Sequence, residues 1–217
     1  MSINRENRSN SVKAVIFDYG EVLCHRPTAE EIAQLAGFFN LRVDQLPTLW
    51  ERNRGAYDRG DLSPESYWSE FAKDAGIKLD PQQLDEIHQL DMEMWINVNS
   101  GMLDWANQLR SSGLKIGLLS NMHPEMVAYC RQHFPWLTNF DFVTFSGEVR
   151  LIKPDPAIYE HTLRGLGVAA SEALFLDDRE VNIRAAQALG MYALRFESIK
   201  QLHNELSAAG FPILPAA

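Results

Sequence analysis

Four short polar signatures carry residue types that could do chemistry together: Asp18, the pair Ser120-Asn121, Lys153, and the adjacent acids Asp177-Asp178. Each has a plainer reading on its own. Asp18 could be a turn residue ahead of Gly20, and Ser120-Asn121 could cap the next helix. Asp155 and Pro156 suit the N-cap and first position of a helix, which would leave Lys153 a solvated lysine. One of Asp177-Asp178 could also be a cap, but two adjacent carboxylates after a buried run repel unless a cation lies near. As a set the types are complementary. A carboxylate approaches an anionic phosphorus only if cations intervene. Asp18 and Asp178 could hold Mg²⁺, Lys153 is a fixed positive charge, and the Ser120 hydroxyl can hydrogen-bond phosphoryl oxygens.

Such side chains cooperate only if a scaffold brings them to one place. Apolar runs over 12–17, 114–119, 173–176 and 191–195, with a weaker one at 142–145, read as strands covered on both faces. Asp18, Ser120 and Asp177 each follow the end of a run. Helical patterns fall over 125–133, 156–163 and 181–189, the last with Gly190 as a C-cap. The alternation predicts an α/β fold with a doubly wound, Rossmann-like parallel sheet, where ligands bind beyond the carboxyl ends of the strands.

The gap between the first two runs far exceeds the roughly 10–12 residues a crossover needs, and it reads as helical throughout. Thr28-Ala29-Glu30-Glu31 has the form of a capping box, and Asp80-Pro81 sets an N-cap before a proline. Leu46, Leu49 and Trp50, then Tyr67, Trp68 and Phe71, recur at helical spacing and read as core, not ligand contacts. Arg54, Tyr57 and Arg59 precede a turn or hinge at Gly60-Asp61; they could contact a substrate, but read more readily as a solvated helix face. The expected organisation is a flexible tail at 1–11, a catalytic core of 12–26 and 96–217, and a helical insertion over 27–95.

Composition sets the outer limits. The 217 residues carry a formal charge of −9, with 46% hydrophobic and 23% charged residues, as in an ordinary globular protein. No Lys/Arg cluster suits nucleic acid or an anionic membrane, and no apolar run is long enough to span a bilayer. Cys24 and Cys130 form no CxxC pair, which fits a reducing cytoplasm. The polar start lacks the apolar centre of a signal peptide. The expected partner is a small phosphorylated metabolite, taken by a monomer or dimer.

The order Val15-Ile16-Phe17-Asp18-Tyr19-Gly20-Glu21-Val22-Leu23, Leu118-Leu119-Ser120-Asn121, Lys153-Pro154-Asp155 and Leu176-Asp177-Asp178 with Asn182 resembles the haloacid dehalogenase superfamily. That family's motifs are a nucleophilic Asp, a Ser/Thr, a Lys and an acidic pair. The resemblance covers the whole chain except its N-terminal tail, and the insertion looks like the family's C1 cap, as in its subfamily IA. It implies that Asp18 is the nucleophile, assisted by Ser120 and Lys153. Mg²⁺ would be held by Asp18, the Gly20 carbonyl and Asp178. Tyr19, Gly20 and Asn121 would border the substrate, and Asp177 and Asn182 would hold Asp178 and the Lys153 ammonium in place.

One departure stands out. Most phosphatases of the family have an acid/base Asp two residues after the nucleophile, where this chain has Gly20. Glu21, His25 or His123 could approach the site in its stead, though each reads as a turn or surface residue. A branch resembling α-glucose-1-phosphate phosphatases also has Gly there, which suggests a sugar phosphate as substrate. Two rivals remain: a metal-free 2-haloacid dehalogenase, disfavoured by the acid pair, and a phosphate-binding module with little turnover. A mutase is less favoured, since it normally uses the missing Asp as base.

Overall fold

The computed structural model describes residues 12–216, so the tail expected at 1–11 lies outside the described residues. Five parallel strands form one sheet in the order β3-β2-β1-β4-β5: β1 Ala14–Phe17, β2 Lys115–Ser120, β3 Phe142–Phe145, β4 Ala173–Asp177 and β5 Tyr192–Arg195. The chain runs outward from β1 to β3, then returns to lay β4 against the other side of β1. The switch point therefore falls between β1 and β4.

Strand alternation sends side chains into two cores. Val15, Phe17, Leu174 and Leu176 face α5 (Ser100–Ser111), α6 (Pro124–His133) and α10 (Ile199–Ala208). Ala14, Ile16 and Phe175 face α8 (Pro156–Leu166) and α9 (Glu180–Ala188). With both faces covered, strands without polar alternation are the expected outcome. The doubly wound sheet is borne out, with strand ends within two residues of expectation. The reading of the sequence had no counterpart for α10. Gly190, at φ +90°, follows the C-cap of α9 as expected. Cys24 and Cys130 are buried and free, and burial pushes both thiols up to about 12, so neither is a reactive thiolate.

Between β1 and α5 run α1 (Ala29–Phe38), α2 (Leu46–Asp58), α3 (Pro64–Asp74) and α4 (Pro81–Glu93). The Thr28 capping box and the Asp80 cap both form. These helices enclose their own apolar cluster, in which Tyr57 stacks on Tyr67 at 4.4 Å and Phe39 meets Phe71 at 4.3 Å. Tyr67, Trp68 and Phe71 are core residues as expected. No helix among the described residues is long and apolar enough to cross a membrane.

Candidate active site

The carboxyl ends of β2, β1 and β4 are neighbours in the sheet, so the residues that end them converge. Asp18 follows β1, Ser120 ends β2, and Asp177 ends β4 with Asp178 next. Lys153 comes from the segment between α7 (Ser146–Val149) and α8. Its Nζ lies 2.8 Å from Asp18 Oδ1 and 2.6 Å from Asp177 Oδ2, and donates to the Leu119 carbonyl at 3.0 Å. Its side chain is 1% exposed, so Lys153 is the cation of the site and not a solvated lysine. Asp155 does cap α8, accepting from Ala157 N.

Each neighbour of that ammonium has a distinct set of partners. Asp177 is saturated: Oδ1 accepts from Arg179 N at 2.8 Å and Asn182 Nδ2 at 2.9 Å, and Oδ2 takes Lys153. Asp18 Oδ1 accepts from Tyr19 N at 2.7 Å as well as facing Lys153, while Oδ2 takes no hydrogen bond from the described residues. Asp178 makes no salt bridge with a described residue. Asp177 thus meets the Lys153 ammonium and Asn182 braces Asp177, while no hydrogen bond among the described residues joins either one's side chain to the Asp178 carboxylate. Asn121 does not cap α6. Its Oδ1 accepts from Lys153 N at 2.8 Å and its Nδ2 donates to Lys153 O at 3.0 Å, fastening that main chain to the end of β2. The cap is His123, whose Nδ1 accepts from Met126 N.

Electrostatically the cluster is short of positive charge. Ligand oxygens of Asp18, Asp177 and Asp178 all lie within 4.8 Å of one another around one ammonium. Burial, opposed by Lys153 and reinforced by Asp177 and Asp178, holds Asp18 well above the usual carboxylate range. Burial and the neighbouring Asp177 push Asp178 up to about 6. Burial alone would lower Lys153, but Asp177 and Asp18 outweigh it and keep it above the ordinary lysine value. A hard divalent cation answers this imbalance. Asp18 and Asp178 offer oxygens that no protein donor claims, and Mg²⁺ commonly takes one or two carboxylates with water and phosphate oxygens. The donor set fits the ion.

After Asp18 the chain makes a wide turn over Tyr19–Leu23, closed by Cys24 N donating to Tyr19 O at 2.8 Å. The Tyr19 hydroxyl donates to the Trp95 carbonyl, and Gly20 faces the Trp95 ring. A cavity of about 450 Å³ opens over the cluster, lined at this end by Asp18, Tyr19, Gly20, Ser120, Asn121, Lys153, Asp178 and Asn182. Of the stand-ins for the missing acid, Glu21 lines the cavity with its carboxylate 2.6 Å from Arg26. His25 is exposed and does not line it. His123, read as a turn or surface residue, is 1% exposed and lines it, stacked on Tyr57 at 4.3 Å.

The solvated helix face expected around Arg54 is also overturned. Arg54 borders the cavity with 15% of its side chain exposed, clamped by Asp58 at 2.9 Å and Asp91 at 3.3 Å. Tyr57 is buried beneath it, and only Arg59 stays near the surface, paired with Asp61. Leu46 and Trp50, read as core, line the cavity too. The i,i+4 spacing of Arg54 and Asp58 was a usable signal. The tertiary partner Asp91, 37 positions from Arg54, had none.

Residues 12–190 match the haloacid dehalogenase-like hydrolase family. Sesquiterpene phosphatase astK of Aspergillus oryzae is 26% identical over 84% of this chain and 88% of its own length. D-ribitol-5-phosphate phosphatase of Bacteroides thetaiotaomicron is 24% identical over 90% of this chain and 97% of its own. The L-2-haloacid dehalogenase of Xanthobacter autotrophicus, solved with chloropropionic acid covalently bound, superposes with a TM-score of 0.64 at 22% identity, covering 94% of this chain and 85% of that one. This last likeness is one of fold, so the dehalogenase name decides nothing about the reaction here. The family match spans most of the chain and includes all four polar signatures: the protein belongs to the haloacid dehalogenase-like hydrolases.

Proposed function

We propose that the protein is a Mg²⁺-dependent phosphomonoester hydrolase acting on a small phosphorylated metabolite through an aspartyl-phosphate on Asp18. The observation that carries the reading is three carboxylates around one buried ammonium, with one oxygen of Asp18 unclaimed. Tyr19 N and Lys153 fix Oδ1, which leaves Oδ2 to attack phosphorus. The P–O bond to the leaving group breaks as the Oδ2–P bond forms, and water then attacks the acyl phosphate, returning the Asp18 carboxylate and phosphate. Lys153 sets positive charge beside the transferring group, and Ser120, whose hydroxyl has only a 3.5 Å contact to Asn121 O, is free to donate to a phosphoryl oxygen. Mg²⁺, when bound by Asp18 and Asp178 with the Gly20 carbonyl, supplies the charge that lets two anions meet. The helices over 27–95 serve as the cap, and 12–26 with 96–217 as the core. The names of similar proteins include two phosphatases with unlike leaving groups, which supports phosphate-ester cleavage and leaves the organic part to other evidence.

A dehalogenase would need no metal, and uncompensated acids beside Asp18 would repel a haloacid carboxylate. The test is phosphate release from aryl and alkyl phosphates with Mg²⁺, with chelator, and by Asp18→Asn. Chelation should abolish release, and the variant should lose about 10⁴-fold or more in kcat, the scale of losing a nucleophile. Turnover that survives both treatments contradicts the proposal. Phosphate binding without turnover of any ester would identify a binding module.

A further inference from the structure

Beyond the acid cluster, the cavity is walled in a way that does not suit a sugar. Ile32 of α1, Val43 just before α2, Pro47 and Trp50 of α2, Trp95 after α4 and Met126 of α6 form those walls. Several keep apolar surface open to solvent: Val43 is 49% exposed, and Ile32, Trp50 and Trp95 are only half-buried. Trp95 begins this wall at the reacting end, since its ring carbon lies 3.6 Å from where a side chain at Gly20 would start.

Ligand sites are commonly apolar in the main, so apolar walls alone decide little. The polar lining decides. Outside the reacting end, those groups are already paired within the protein. Arg54 is held by Asp58 and Asp91, Glu21 by Arg26, and Glu51 by Arg179. Among fully buried polar atoms, two on lining side chains have no partner, Trp95 Nε1 and His123 Nε2; the second faces Asp91 at 3.7 Å. A sugar brings several hydroxyls, and each one buried without a partner weakens binding. A hydrocarbon group makes no such demand and gains from every methylene it buries.

We infer that the organic part of the substrate is an apolar hydrocarbon group, in place of the sugar expected from the sequence. The inference rests on the phosphatase reading and sets the substrate class for that site.

The test compares n-alkyl phosphates of increasing length, which share one leaving-group pKa, with hexose and pentitol phosphates, all with Mg²⁺. For the full chain, kcat/KM should rise about three- to fourfold per methylene until the cavity is filled. A decyl ester should then exceed either sugar phosphate by about 10²-fold or more. A flat chain-length series with a sugar phosphate ahead overturns the inference and leaves the phosphatase reading intact. If none of these esters and no aryl phosphate is hydrolysed, the phosphatase reading fails with it. Calorimetry with decylphosphonate and a sugar phosphonate then decides the cavity alone, a negative heat-capacity change on binding the decyl compound being the mark of apolar burial. Trp50→Ala should flatten the chain-length slope. Val43→Asp, at an exposed position that burdens folding little, should do the same. A slope unchanged in both variants places the organic group elsewhere.

Discussion

At position 20 the chain has no side chain where an acid/base carboxylate stands in most phosphatases of the family, and the backbone there, φ −60° and ψ 131°, is one that any residue adopts. A Cβ would meet Trp95 ring carbons at 3.6 and 4.0 Å, ordinary contact distances, so Gly20→Asp should fold. Without an acid, the leaving oxygen departs with most of its charge, so wild-type single-turnover rates should fall steeply as leaving-group pKa rises. Gly20→Asp should raise alkyl-ester rates by up to about 10²–10⁴-fold and leave aryl esters little changed. A flat dependence in the wild type would show that an acid is present, and Glu21→Gln would then show whether Glu21 is that acid. Asp178 gives a second prediction at this scale. Its folded-state pKa, raised to about 6, lies above its unfolded value, so its contribution to stability is present at low pH and is lost as pH rises through about 6. Metal-free Asp178→Asn should therefore match the wild type near pH 4 and melt a few degrees higher at pH 8, the size of shift that about 1 kcal/mol produces in a chain of this length. Mg²⁺ should reverse the order at pH 8 by stabilising the wild type more. Melting curves at both pH values check this, and a variant less stable than the wild type at pH 8 without metal would refute it.

Among the elements, α2 has a second attachment to the sheet besides its chain connection. Ser146 Oγ, at the start of α7, donates to the Asp58 carbonyl at the end of α2 at 2.6 Å and accepts from Met122 N at 2.8 Å. Arg150 reaches Asp61 at 2.5 Å in the turn beyond, where Gly60 takes φ +79°. Of the hinge or turn expected at Gly60-Asp61, the structure has the turn, bound to the neighbouring α7 segment. Ser146→Ala leaves the buried Met122 N–H without its partner and should cost about 1–3 kcal/mol, read as a lower urea midpoint at unchanged slope. A midpoint within error of the wild type would show that the contact does not fasten α2. The sequence carried the elements better than these attachments, for physical reasons. Strands buried on both faces appear as unbroken apolar runs, and Thr28 and Asp80 mark helix starts through bonds to residues three positions away. Asp18, Ser120, Lys153 and Asp177-Asp178 were legible because each sits at a strand end or ahead of a helix whose position the pattern fixes. The bonds of Asn121 to Lys153, and of Arg54 to Asp91, join residues more than 30 positions apart. No local rule encodes them. His123 was misjudged for the same reason, and Trp50, which does pack against the cap cluster, also lines the cavity, since burial and cavity lining are set by elements distant in the chain.

At the scale of the molecule, a sheet supplies a charged floor, α1, α2 and Trp95 after α4 supply most of an apolar wall, and the cavity between them sets a phosphoryl site beside a hydrocarbon-lined space. The formal charge of −9 makes anionic substrates dependent on local cations, Lys153 and the proposed Mg²⁺, and not on a basic surface. One carboxylate, Asp18, is proposed to take the phosphoryl group. The most direct measurement is rapid acid quench of the enzyme during turnover of an aryl phosphate with Mg²⁺, followed by digestion and mass spectrometry. Without a positioned base for the second step, the acyl phosphate should accumulate and the phosphoryl mass should appear on the peptide containing Asp18, absent in Asp18→Asn and in chelator. A phosphoryl group on any other residue, or burst kinetics with an unmodified Asp18 peptide, would rule out Asp18 as the nucleophile.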